Sequence, residues 1–314
     1  MGKYLVTGGA GFIGCNLVRF LLDKGQQAVV LDDFSMGFRR NLEGVLDRIT
    51  LVEGDVRAAA AVERAMAGCD GVFHEAALGS VPRSVADPVS THDVNVNGTL
   101  QVLQVARKLG VKRIIFAASS SAYGDQPQSP KHEGMVPLPI SPYAAGKVAC
   151  EAYLRGYAAV YGLQTLCLRY FNVFGPWQDP GGAYAAVIPN FVSMLLKGQA
   201  PTICGDGEQS RDFCYIDNVC QANWLAMHAP AQVCDGQVVN IACHQQITVN
   251  QMYRRIAELL GSDIKPQYGP DRPGDVKHSL ASVDLAKRLI GYEPKVFFDE
   301  GLARSIDWYR EHLG

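Results

Sequence analysis

The chain has 314 residues, 48% of them hydrophobic and 19% charged, with a formal net charge of −2. That length allows one large domain or two smaller ones around a substantial core, and the charge balance offers no basic stripe for a nucleic acid. No apolar run reaches the roughly 18 residues that a membrane span needs. The N-terminus enters a strand-like segment at residues 3–7 without a signal-peptide layout, so a cytoplasmic chain is expected. Residues 12–22 then show helical spacing, with Ile13, Leu17 and Leu21 on one track and Val18 and Leu22 on the next. Apolar runs at 28–31, 49–52 and 72–73 read as further strands. A periodic helix comes next at 99–109, closed by Gly110, then a strand at 113–118. A long helix at 143–161 ends at Gly162 and leads into a strand at 165–170.

Short, continuous apolar strands between helices predict an α/β fold: a Rossmann-like, doubly wound parallel sheet covered on both faces. Beyond residue 171 the segments shorten and glycine and proline cluster at 175–182, 198–207 and 266–274. This predicts a first domain over 1–171 and a smaller C-terminal lobe over 172–314, with the chain recrossing to the first domain around 211–242. The nine cysteines include no C-x-x-C pair, so neither a disulfide framework nor a metal site is expected.

Residues 7–14 read T-G-G-A-G-F-I-G, placing Gly8, Gly11 and Gly14 between a strand and a helix that opens with Phe12 and Ile13. A turn this tight, with pyrophosphate against backbone N–H groups, excludes a Cβ. Asp32 closes the next strand 18 positions after Gly14. A carboxylate there accepts from ribose hydroxyls and repels a 2′-phosphate, so NAD is favoured over NADP; the nearby Arg39 and Arg40 pull weakly the other way. Asp55 and Val56 end the third strand, where a side chain could meet adenine. Ala76 and Ala77 end the fourth and are small enough for a cofactor to lie against the backbone. Packing explains either pair equally well.

Tyr143 and Lys147 are four apart near a helix start, in Y-A-A-G-K, and therefore share a face. An ammonium beside a phenol favours the phenolate, which can then serve as a general base. Ser119, Ser120 and Ser121 end the preceding strand, and a hydroxyl there could bridge Tyr143 and a substrate oxygen. Which of the three does so stays open.

With these motifs in order, the chain resembles the extended short-chain dehydrogenase/reductase family, in particular its UDP-sugar 4-epimerases. The matching stretches include L-D-D-F-S (31–35), E-G-D-V (53–56), N-V-N-G-T (95–99), S-S-S-A-Y-G (119–124), S-P-Y-A-A-G-K (141–147), R-Y-F-N-V-F-G (169–175), Y-A-A-V-I-P (184–189), G-D-G-E-Q-S-R-D-F (205–213) and R-P-G-D-V-K-H-S (272–279). The resemblance implies a retained NAD held by the first domain, with Asp33, Ser35, Asn95 and Tyr170 added to its site and Lys147 on the nicotinamide ribose. It implies Tyr143 as base, Ser119 as the catalytic serine, and Ser121, Asn172, Arg211, Arg272 and Asp275 as contacts to the UDP-sugar in the C-terminal lobe. It also implies a homodimer through helices near 90–110 and 143–162. The acidic pair of the family's dehydratases is replaced by Ser120 and Ser121, which disfavours dehydration. Ser279, where glucose-restricted relatives often carry tyrosine, leaves room for an acetamido group. Gly79 and Ser80 in A-A-L-G-S-V-P-R-S, and Ala186 followed by Val187, resemble bacterial enzymes that prefer N-acetylated sugars. UDP-N-acetylglucosamine and its galacto epimer are therefore the expected pair. The alternatives are a UDP-glucose 4-epimerase with a broad pocket, a relative acting on UDP-glucuronate, and a non-enzymatic NAD-binding protein. Glu75 departs from the neutral residue expected after His74.

Overall fold

The computed structural model describes residues 1–180, 186–270 and 277–313. Seven strands build the central sheet: β1 (Lys3–Thr7), β2 (Gln27–Asp32), β3 (Ile49–Glu53), β4 (Gly71–His74), β5 (Arg113–Ser119), β6 (Gln164–Tyr170) and β7 (Asp235–Ile241). Their order is β7-β6-β5-β4-β1-β2-β3, and every neighbouring pair is parallel. The strands are apolar runs because both sheet faces are covered. Alternation sends Val6 and Val30 into one core with Leu17, Leu21 and Ala222, and sends Leu5, Val29 and Leu31 into a second core with Val62, Val102 and Leu154. The doubly wound parallel sheet expected from the sequence is what the chain forms. β1 lies between β2 and β4, so strand order reverses there and a crevice opens at the carboxyl ends of β1 and β4.

Three details depart from the sequence expectation. β3 ends at Glu53, which leaves Asp55 and Val56 in the turn beyond it. The helix Gly98–Leu109 is preceded by a short helix, Pro88–His92, and a π-helical turn, Asp93–Asn97. That turn carries Asn95, whose amide bonds both the N–H and the C=O of Leu78 at 2.7 and 3.2 Å; an extra residue per turn is a common way to aim one side chain. Beyond β6, the described residues add three two-stranded pairs: Val173–Phe174 with Cys214–Tyr215, Ser210–Arg211 with Ile247–Thr248, and Thr202–Cys204 with Gln267–Gly269. All nine cysteines are unpaired thiols.

The helix Pro142–Tyr161 carries Tyr143 and Lys147 and sets their positions. Ser141 caps its start by accepting from the Ala144 N–H at 3.2 Å, Pro142 fills the first turn, and Gly162 ends it in the left-handed region at φ +69°. Midway along, Glu151 accepts from Nε and Nη2 of Arg169 on β6 at 2.8 and 2.7 Å, with both side chains under a tenth exposed. Removing one partner of such a pair strands a buried charge, so Glu151→Ala is expected to cost about 3–5 kcal/mol in chemical denaturation. A loss below about 1 kcal/mol would show that the pair does not hold the helix.

Candidate active site

The glycine turn is a direct consequence of the meeting of β1 and β4. Gly8 has φ +67°, and a Cβ on it would lie 2.7 Å from the backbone of Ala76. A Cβ on Gly14 would lie 2.1 Å from the Gly8 carbonyl oxygen. Both contacts are with backbone, which cannot step aside, so only glycine fits. The helix Phe12–Asp23 opens at Gly11 with no side-chain cap. Its first N–H groups, including those of Phe12 and Ile13, lack partners one turn back. Uncapped donors, a positive helix end and a Cβ-free approach together form a cradle that fits the pyrophosphate of a dinucleotide.

The groove beside the turn is lined by Gly8, Gly11, Asp32, Asp33, Ser35, Val56, Ala76 and Ala77, by Glu75, which the sequence marks only as a departure, and by Leu31, Met36, Gly37, Gly54, Leu78 and Val94, to which the sequence assigns no role. Asp32 is buried, with one oxygen accepting from Ala10 N–H at 2.9 Å and the other from Phe34 N–H at 2.8 Å. It braces the glycine loop while keeping further lone pairs for a ribose. Asp33 is exposed and accepts from the backbone and hydroxyl of Ser35. Asp55 does not line this groove. Its carboxylate is taken by Arg57, whose guanidinium holds its pKa below the ordinary carboxylate value. The side chain of Asn95 is committed to Leu78, so it braces the rim of the groove and does not face a cofactor.

Under the groove lie two buried polar networks. On one face His74 bonds Thr7 at 2.7 Å and Thr99 at 2.9 Å. Thr99 donates its hydroxyl to the Asn95 carbonyl, so it accepts from Nε2–H of His74, and Nδ1 accepts from Thr7. Burial pushes this histidine down to about 3, which keeps it neutral. On the other face the Tyr170 hydroxyl donates to Glu75 at 2.9 Å and accepts from Asn223 at 2.8 Å. The hydroxyl of Tyr170 is therefore spoken for, leaving its ring and backbone for any cofactor contact. The second oxygen of Glu75 is buried without a partner, as is Oδ1 of Asn223. Burial raises Glu75 to about 7, against the opposing effects of the Tyr170 bond and the Lys147 charge.

A second cleft, of about 560 Å³, begins where β5 ends. Ser119, Ser120, Ser121, Tyr143, Asn172, Arg211 and Ser279 all line it. Lys147 lies beneath, buried, donating to the Ala117 carbonyl at 2.6 Å with its ammonium 5.9 Å from the Tyr143 ring centre. The Ser119 oxygen accepts from the Ser121 hydroxyl at 2.8 Å and the Ser121 N–H at 3.2 Å, which leaves the Ser119 hydrogen to donate onward. Val81, Pro82, Tyr123, Gly124, Ser141 and Phe171, which fall inside the quoted motifs without an assigned role, also line it, as do Val85, Lys131 and Ile140, which no motif marks. Val81, Pro82 and Val85 come just after Gly79 and Ser80. Those two are not themselves among the lining residues; Ser80 caps the helix Val81–Ala86 by accepting from Arg83 N–H. Ala186 and Val187 start the helix Val187–Leu196 and are likewise absent from that lining. Arg272 and Asp275 lie outside the described residues. Those residues contain no cluster of His, Cys, Asp or Glu that could hold a metal ion, and no helix long and apolar enough to cross a membrane.

Residues 4–242 match the model of the NAD dependent epimerase/dehydratase family. The chain is 37% identical to the UDP-glucose 4-epimerase of Mycolicibacterium smegmatis, over 98% of each chain. In structure it is similar to the UDP-N-acetylglucosamine 4-epimerase of Methanobrevibacter ruminantium in complex with UDP-N-acetylmuramic acid, with a TM-score of 0.93 and 39% identity over 99% of this chain and 98% of that one. It is similar as well to the UDP-glucose 4-epimerase of Thermotoga maritima with UDP-glucose, with a TM-score of 0.94 and 39% identity over 99% and 100% of the two chains.

Glu75 offers a test of the groove floor. Folding raises its proton affinity, so the folded chain holds an extra proton between the ordinary value of 4.5 and about 7, and stability falls as pH rises through that window. Glu75→Gln is expected to flatten this decline and to stabilise the cofactor-free protein at pH 8 by about 1–3 kcal/mol. Thermal melts from pH 5 to 8 check it; parallel pH curves for the two proteins would refute it.

Proposed function

Because the chain belongs to the NAD-dependent epimerase/dehydratase family, we propose that it is a UDP-sugar 4-epimerase whose preferred pair is UDP-N-acetylglucosamine and UDP-N-acetylgalactosamine. The observation that carries this reading is one cleft lined by Tyr143, the serine run, Asn172, Arg211 and Ser279, with Lys147 beneath it and the glycine cradle alongside. In this reading the cofactor-side contacts are Gly8, Gly11, Gly14, Asp32, Asp33, Ser35, Val56, Ala76 and Ala77, and the bound dinucleotide supplies the acceptor and donor of hydride at C4.

Tyr143 removes the O4 proton as the C4–H bond is broken, giving a 4-keto sugar, and returns a proton to O4 after hydride is restored to the opposite face. Lys147, anchored on the Ala117 carbonyl at 2.6 Å, holds its ammonium 5.9 Å from the centre of the Tyr143 ring. Ser119 is the better placed of the three serines, because Ser121 orients its oxygen and leaves its hydrogen to donate to the reacting oxygen. Arg211 and Asn172 hold the diphosphate end while the keto sugar turns; a planar guanidinium suits paired phosphate oxygens. The cleft volume is in the range of pockets that enclose a ligand of this size.

The N-acetyl preference rests on Ser279 in the cleft lining and on the likeness to the Methanobrevibacter enzyme. A second reading, UDP-glucose 4-epimerase, is favoured by the names of the other two relatives. A homodimer through the helices near 90–110 and 143–162 is part of the same proposal. Tyr153, Val160, Tyr161 and Leu109 expose apolar surface on these helices.

Proton NMR of UDP-N-acetylglucosamine and UDP-glucose, each incubated with purified protein and no added NAD, decides between the two sugars. Conversion of the acetylated sugar alone supports the preference; equal conversion of both supports the second reading. Tyr143→Phe is expected to lower kcat by about 10²–10⁴ while leaving NAD binding intact, and full turnover by that variant would defeat the assignment. Ser279→Tyr is expected to depress turnover of the acetylated sugar far more than that of UDP-glucose.

A further inference from the structure

Lys131 sits in the sugar cleft with less of its bonding capacity used than a buried cation requires. It is 4% exposed and lines the same cleft as Tyr143, Ser119 and Ser279. Its backbone is stitched to the segment that carries Ser279: Lys131 N–H donates to the Leu280 carbonyl at 2.7 Å, and Ser282 N–H donates to the Lys131 carbonyl at 2.8 Å. The two side chains thus come from neighbouring, hydrogen-bonded segments. The Lys131 ammonium donates to the Gln126 carbonyl. Among the described residues it has no carboxylate within ion-pair distance. An ammonium carries three donors, and a buried donor without an acceptor is costly. Burial lowers the pKa of Lys131, and the charge of Asp125 opposes this. The bond to Gln126 uses one of the three donors and leaves two for an acceptor that enters the cleft.

The rest of the lining narrows the ligand group. Val81, Val85 and Ile140 are 41%, 64% and 60% exposed, and all three line this cleft, giving it an apolar wall. A cleft that offers a cation's donors and bare apolar walls fits a group with both a carbonyl oxygen and a methyl. A plain hydroxyl supplies the acceptor without the methyl, and a carboxylate answers the cation but not the walls.

We infer that Lys131 is a specificity-determining residue whose ammonium donates to the carbonyl oxygen of an N-acyl substituent on the bound sugar. This rests on the proposed UDP-sugar epimerase reading and deepens it. The test measures kcat and KM for UDP-N-acetylglucosamine, UDP-glucose and UDP-glucuronate, and the affinity for UDP, in the NAD-loaded wild type and in Lys131→Met, with Lys131→Gln as the second variant should the first not fold. The expected result is a fall of about tenfold or more in the preference for the acetylated sugar, equivalent to about 1.4 kcal/mol. That fall is carried by KM for the acetylated sugar and exceeds any change in UDP-glucose turnover or in UDP affinity by the same factor. An unchanged preference, or an equal loss for all ligands including UDP, overturns the role of Lys131 while leaving the epimerase reading intact. A wild type that favours UDP-glucuronate, with that preference lost in the variant, overturns the N-acyl assignment in favour of a carboxylate. A wild type that turns over none of the three defeats the epimerase reading itself, before any variant is compared.

Discussion

A buried carboxylate–guanidinium pair, Glu151 with Arg169, fixes the depth and rotation of one helix on one strand, and most of the site depends on that registration. Lys147 lies one turn before Glu151 and reaches the Ala117 carbonyl; Tyr143 lies a further turn back, at the mouth of the cleft. On the strand side, Tyr170, Phe171 and Asn172 come directly after Arg169. A pair of this kind is a poor source of net stability, because desolvating two charges offsets their attraction. Its value is directional. Two parallel hydrogen bonds tolerate little sliding or rotation of the helix. The remaining nitrogen of Arg169 has no hydrogen-bond partner, but the guanidinium lies 4.6 Å from the centre of the Tyr123 ring. The hydroxyl of that tyrosine in turn bonds Asn240 on β7. One cation thus links the helix, β6 and the sheet edge.

The groove and the cleft are preorganised in different ways. The groove is shaped by backbone: glycines that admit no Cβ, an uncapped helix start, and Asp32 tying the loop to the end of β2. Its floor is polar, with His74 and Glu75 sending adjacent side chains to opposite faces of the sheet, each into its own network. Such networks rigidify when every member is satisfied. The His74 network is closed, whereas the Glu75 network keeps two unpartnered oxygens. The cleft is shaped by residues from seven separated stretches of sequence, and its walls mix hydroxyls and cations with exposed aliphatic groups.

Much of this was legible in the sequence because its causes are local. The spacing of Gly8, Gly11 and Gly14 encodes a turn wherever a strand must feed a helix. A four-residue interval puts Tyr143 and Lys147 on one helical face whatever surrounds them. Continuous apolar strands between helices imply a parallel sheet, and that sheet in turn dictates where the crevice opens. What only the tertiary structure decided was the fate of polar side chains that compete for partners. Asp55 is captured by Arg57, Asn95 by Leu78 and the hydroxyl of Tyr170 by Glu75 and Asn223. The serine run resolves into a donor chain from Ser121 to Ser119. Lys131, which no motif in the sequence marks, lines the cleft, and its backbone pairs there with a segment some 150 residues away. Even neighbours two apart, such as Asp55 and Arg57, pair only if no other group takes them first, and the partners of Tyr170 and the cleft walls come from far along the chain, where a one-dimensional pattern carries no information about which distant group arrives.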